Sequence, residues 1–186
     1  MNLSAYKNIE RKNKKCILYL HTYSGNKCEG KFIFQYLPAH FDLALFDFPG
    51  CGNSKAKYVT YGLTEKYDLD SILRKLEAEA GYKEFYLWGR SMGAAVAILY
   101  SNLFLYPKKS KKKKNKKKKK LKTDEKDLKI NEITQRGWKD KIKFLVIDSA
   151  FTNLFEMLQG KLNNKRYAQK QEWNPQICKL LCFIFD

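Results

Sequence analysis

Phe85-Tyr86-Leu87-Trp88-Gly89-Arg90-Ser91-Met92-Gly93-Ala94-Ala95-Val96-Ala97-Ile98-Leu99 is the stretch on which the reading of the chain turns. Phe85 to Trp88 is a short apolar run of strand type, and the alanine-rich run from Ala94 is of helix type. Between them, Gly89-Arg90-Ser91-Met92-Gly93 fits G-x-S-x-G, the strand–turn–helix bend called a nucleophile elbow. To lift its hydroxyl clear of a strand end, Ser91 must take a strained backbone at positive φ. The residues two before and two after then crowd the main chain, so Gly89 and Gly93 answer a need for a missing Cβ. A helix beginning at the serine aims its N-terminal amides, which carry partial positive charge, at the same point. The competing reading is an ordinary strand-to-helix turn with a capping serine.

Three further apolar runs surround this one. Cys16 to Leu20 is continuously apolar, as suits a strand buried on both faces of a parallel sheet, and it empties into His21-Thr22-Tyr23-Ser24-Gly25-Asn26. Asp42 to Phe48 is a second strand, closed by Pro49-Gly50-Cys51-Gly52, and Ile142 to Ile147 is another, ending in Asp148-Ser149-Ala150-Phe151-Thr152. The intervening segments are helical. Lys31 to Leu37 suits a short amphipathic helix ended by Pro38. A longer helix is expected from Thr64 as N-cap, with Leu69, Ile72, Leu73, Leu76 and Ala80 on one stripe and Gly81 closing it. A helix from about Asn153 to Leu158 follows the last strand. Strands alternating with helices predict an α/β fold, a mostly parallel sheet with helices on both faces. Ligands of such sheets bind beyond the carboxyl ends of the strands, where the loops at His21, Pro49, Ser91 and Asp148 converge.

Composition bounds the rest. At 186 residues and 44% apolar content, the chain is long enough for one domain with a real core. Its net charge of +18 is concentrated between Lys108 and Lys122, which holds twelve lysines; outside it, 25 basic residues face 19 acidic ones, a balance of +6. Five cysteines without C-x-x-C spacing fit reduced thiols in a cytosolic protein better than a disulfide frame or zinc site, so no metal or other cofactor is expected. No secretory signal opens the chain, and the apolar run from Leu180 to Phe185 is too short to span a bilayer. Gly50-Cys51-Gly52-Asn53-Ser54 lacks the spacing of a phosphate loop, and Cys51 is either a reactive thiol or a small buried residue.

The expected organisation is a polar lead-in over 1–15, a core over 16–160 with a disordered lysine-rich insertion over 107–137, and an unassigned tail over 161–186. Lys108–Lys120 is a solvated low-complexity loop, an anionic-membrane contact, or a nuclear-import or nucleic-acid patch. It lacks the aromatic interleaving that would build a specific nucleic-acid site.

With these loops in place the chain resembles the α/β-hydrolase superfamily, in its serine aminopeptidase-like and lipase–thioesterase branch. Leu18 to Asn26 resembles that branch's H-G-x-x-G-N loop, and Phe46 to Ser54 its D-x-x-G-x-G-x-S segment. Leu87 to Gly93 is similar to its G-R-S-x-G elbow, and Ile147 to Phe151 to its D-S-P-F turn. The resemblance implies that Ser91 attacks a small-molecule or acylated substrate at an ester, thioester or amide. It also implies an oxyanion hole from the amide of Met92 and one from the His21-Thr22-Tyr23 loop, Tyr23 first and Thr22 second. Thr22 stands where the branch usually has glycine.

In this superfamily the acid and histidine of the triad follow the serine in the chain. Here both histidines, His21 and His40, precede it. Asp148 is the candidate acid or else a turn-capping aspartate, and His21 is a substitute base or a loop histidine that shapes the oxyanion region. The expectation is a truncated hydrolase core lacking the last strands, with very slow turnover. The alternative is a non-catalytic hydrolase-like fold that binds anionic partners through its lysine loop. Oligomeric state is not legible.

Overall fold

In the computed structural model, residues 3–6, 14–105 and 137–151 are described. Their strands are β1 (Leu3–Tyr6), β2 (Lys15–Leu20), β3 (Phe41–Phe46), β4 (Glu84–Arg90) and β5 (Ile142–Asp148). They form one sheet in the order β1-β3-β2-β4-β5. β3, β2, β4 and β5 run parallel, and β1 lies antiparallel on β3 with Leu3 opposite Phe46. The parallel order reverses direction between β2 and β4, and that switch point opens a crevice at the carboxyl ends of the strands. The four apolar runs read from the sequence are these parallel strands. β1 falls within the expected polar lead-in over 1–15: four residues against an edge are too few to show a period, and pairing with β3 decides their state.

Helices cover both faces. On one face lie α1 (Glu65–Ala80) and α2 (Met92–Leu105). Leu69, Ile72, Leu73 and Leu76 of α1 pack with Leu18, Leu20, Phe85, Leu87, Val96 and Tyr100 in the larger core cluster. Side chains of this size each contribute about 1.5–3 kcal/mol when removed from water. On the other face a 3₁₀ helix (Lys27–Tyr36) packs Ile33 against Ile17, Tyr19, Leu43 and Trp88. It begins four residues before the expected helix, because Asn26 caps it by accepting the Cys28 amide at 2.9 Å. α1 ends at Gly81, in the left-handed conformation with φ 71°. Thr64 precedes α1 as expected, but its hydroxyl makes no cap; it meets Thr60 Oγ1 at 2.7 Å instead.

The lysine tract and the segment after Phe151, including the expected helix near Asn153, lie outside the described residues. Gly137 caps a one-turn helix, α3 (Trp138–Lys141), which leads into β5. The expected insertion ran through Gly137 with charged sequence as far as Asp140, yet Trp138 is fully buried. Its indole Nε1 donates to Asp70 Oδ1 at 2.9 Å. The same carboxylate accepts Tyr100 Oη at 2.9 Å and pairs with Arg74 Nε at 3.0 Å, so α1, α2 and α3 meet on one buried acid. Among the described residues Cys16, Cys28 and Cys51 are free thiols, and no helix is long and apolar enough to cross a membrane.

Candidate active site

Ser91 stands between β4 and α2 at φ +50°, in the left-handed region a non-glycine residue rarely occupies. Its neighbours enforce that geometry. The Ser91 amide donates to the carbonyl of Asp148 at 2.8 Å, and the Ser91 carbonyl accepts from Ala95 at 3.1 Å. A Cβ on Gly89 would lie 2.4 Å from the Gly93 carbonyl oxygen, and one on Gly93 would lie 1.9 Å from that of Leu20. Both glycines are therefore required by close backbone approach. The amide of Met92 lies in the first turn of α2, ahead of the first helical hydrogen bond, where no intrahelical acceptor exists. The Met92 side chain itself is buried in the core.

The loop after β2 lies alongside, since Leu20 is in register with Gly89. Glu29 on the 3₁₀ helix organises it. Its Oε2 accepts the Thr22 amide at 3.2 Å and the Thr22 hydroxyl at 2.9 Å, while its Oε1 accepts Tyr19 Oη at 2.8 Å. The Thr22 amide is thus already engaged, and the next amide along the loop is that of Tyr23. Tyr23 is exposed, and its carbonyl receives the thiol of Cys51 at 3.6 Å. Burial pushes the Cys51 thiol up, helped by the charges of Glu65 and Asp47, so it stays protonated rather than becoming a reactive thiolate.

His21 is buried with both ring nitrogens in use. Nε2 accepts the Phe48 amide at 2.9 Å, which leaves the proton on Nδ1, 2.7 Å from the Thr22 carbonyl oxygen. Burial lowers its pKa, against smaller upward pulls from the Thr22 bond and from Glu29 and Asp47. It is a neutral strut between two loops and has no lone pair for Ser91. His40 adjoins the N-terminal end of β3, the opposite edge of the parallel sheet, with its ring on Phe41 at 4.6 Å. The chain contains these two histidines only.

Asp148 ends β5 in register with Arg90. Its carboxylate accepts Ser149 Oγ at 2.7 Å and faces Arg90 Nε at 3.5 Å, while its carbonyl holds the elbow amide. The glycine-rich turn after β3 wraps an aspartate, not a phosphate. Asp47, buried, accepts the amides of Lys27 at 2.7 Å and Asn53 at 3.0 Å, and a Cβ on Gly52 would strike its carboxylate.

One element of the site was not singled out from the sequence. Between Gly52 and α1, Tyr61 takes φ +53° and Gly62 φ +106° in a turn held by Glu65, whose carboxylate is buried. Glu65 accepts the Thr60 amide at 2.7 Å, the Thr60 hydroxyl at 2.6 Å and the Gly62 amide at 2.7 Å. The signal available was the Tyr-Gly pair followed three residues on by an acid at the helix start.

The comparisons with known proteins bear on the fold. The family model described as alpha/beta hydrolase fold matches residues 15–112. Among solved structures, the Pyrococcus furiosus esterase Pf2001 in space group P21 is similar at 20% identity with a TM-score of 0.53, over 97% of this chain and 63% of its own. A lipase-esterase related protein from Clostridium acetobutylicum is similar at 21% identity with a TM-score of 0.46, over 54% of this chain and 41% of its own. This chain therefore spans less than two thirds of either protein's length. No curated protein matches. With an elbow serine at the sheet's switch point and a family match over residues 15–112, the chain belongs to the alpha/beta hydrolase fold family.

Proposed function

We propose that the chain carries the nucleophile of a serine hydrolase acting on esters, thioesters or amides. The observation that supports this most is Ser91 at φ +50°, locked between Gly89 and Gly93 at the N-terminus of α2. Ser91 Oγ attacks the carbonyl carbon, and the oxygen that becomes negative is received by the amides of Met92 and Tyr23. Losing one such donor costs about 2.7–4 kcal/mol of transition-state stabilisation. Collapse of the tetrahedral adduct breaks the bond to the alcohol, thiol or amine, which leaves with a proton, and water later releases the acyl group. Asp148 is assigned to holding the elbow and its own turn, through Ser91, Ser149 and Arg90.

His21 is committed to the Phe48 amide and His40 lies at the far edge, so neither draws the proton from Ser91. Removing the base of a triad enzyme lowers kcat by about 10⁶. The expected behaviour is slow covalent capture at Ser91 that is accelerated by an added base. A fluorophosphonate probe with increasing imidazole measures this: the Ser91 oxygen–phosphorus bond forms, fluoride leaves and imidazole takes the proton. Labelling at Ser91 that rises with imidazole and vanishes in Ser91→Ala is the expected result. No labelling at Ser91 at any imidazole concentration sinks the assignment.

A further inference from the structure

Tyr61 lies between the loops that follow the two strands flanking β4. Its ring stacks on that of Tyr23, after β2, with centroids 4.7 Å apart and planes 23° apart. On the other side it meets Phe151, after β5, edge-on at 6.2 Å and 78°. β2 and β5 are each one strand away from β4, so they lie about 10 Å apart. These two ring contacts bridge that gap beside the strand end that carries Ser91.

The turn beneath Tyr61 is anchored to the elbow helix. A Cβ on Gly62 would lie 2.7 Å from Leu99 Cδ1 and 3.6 Å from the Val96 amide, so the turn rests directly on α2. Glu65 fixes the turn from within, spending its carboxylate on the amides and hydroxyl of Thr60 and Gly62. What this assembly presents outward is ring surface: Tyr23 is 44% exposed, and exposed Tyr58 and Leu63 flank the turn in sequence. Arg90, the cation nearest Ser91 in sequence, is buried and paired with Asp148. A flat apolar group brought to this edge meets ring faces.

Building on the assignment of Ser91 as nucleophile, we propose that Tyr61, with Tyr23 and Phe151, is the specificity-determining wall of the site. It selects substrates whose group next to the scissile carbonyl is aromatic. Glu65 is a positioning residue that acts through the turn.

Two neutral amides test the wall without requiring turnover. The full chain, labelled with ¹³C in its tyrosine rings, is titrated with phenylacetamide and with acetamide. Phenylacetamide is expected to shift the Tyr23 and Tyr61 signals and to bind at least tenfold more tightly than acetamide. Tyr61→Gly, which suits φ +53°, removes the preference, as does Tyr61→Asn, while Tyr61→Phe keeps it. No preference for phenylacetamide, or a preference that survives both Tyr61→Gly and Tyr61→Asn, overturns the proposal. The imidazole-assisted labelling of Ser91 is scored separately. Preference with no labelling sinks the nucleophile and leaves the wall standing; labelling with no Tyr61-dependent preference sinks the wall alone.

Discussion

Gly93 shows how little room the elbow leaves. A methyl there would sit 1.9 Å from the Leu20 carbonyl oxygen, and neither main chain is a flexible tail that can swing aside. Gly93→Ala is therefore expected to destabilise the fold by about 1–3 kcal/mol or more, read as a lower denaturation midpoint in urea. Ser91→Ala removes only the hydroxyl and leaves the φ demand unchanged, so its midpoint stays near that of the parent chain. His21 makes the complementary point about buried polar groups. Its neutral ring satisfies a buried amide and a carbonyl at once, so its value lies in joining β2's loop to the segment that leaves β3. At this scale the steric need at Gly89 and Gly93 was legible because their spacing about a serine falls between an apolar strand run and an alanine-rich helix run. The role of His21 was not, because a histidine beside a strand end reads equally as base or strut until its partners are located.

At the scale of elements, the turn before α1 deserves a quantitative test. The Glu65 carboxyl is pushed up by burial, yet the hydrogen bonds from Thr60 and Gly62 outweigh this and hold it below its ordinary value of 4.5. A carboxyl with a depressed pKa in the folded state contributes stability that is present above about pH 4.5 and lost as pH falls through the folded value. Glu65→Gln is expected to lower stability at neutral pH by about 1–3 kcal/mol, and to flatten the decline of the unfolding midpoint below pH 4.5. A parent and variant that decline in parallel would show that another acid governs that limb. Strand and helix assignments followed periodicity wherever the run was long, as along Leu69, Ile72, Leu73 and Leu76. They failed where tertiary pairing decides. β1 is specified by its neighbour β3, and the 3₁₀ helix by Asn26 and by Gly30, over which Tyr19 and Leu45 close. Trp138 was hidden by the charges around it, since its burial depends on an aspartate 68 positions away.

For the whole molecule, the α/β alternation and the loop-bearing edge were both visible in four apolar runs, because parallel strands buried on two faces leave an unmistakable pattern. The ring cluster of Tyr23, Tyr61 and Phe151 was not, because it is assembled from three loops that share no motif. β5 hydrogen-bonds along the length of β4, and Trp138 is moored to α1 and α2 through one carboxylate, so nothing in the described core depends on an intact covalent path from 106 to 136. A chain cut once within Lys108–Lys120 should travel as a single species on a native gel and as two bands in detergent. Asp70→Ala should let the halves drift apart, which would make this protein a two-piece assembly that happens to be translated in one.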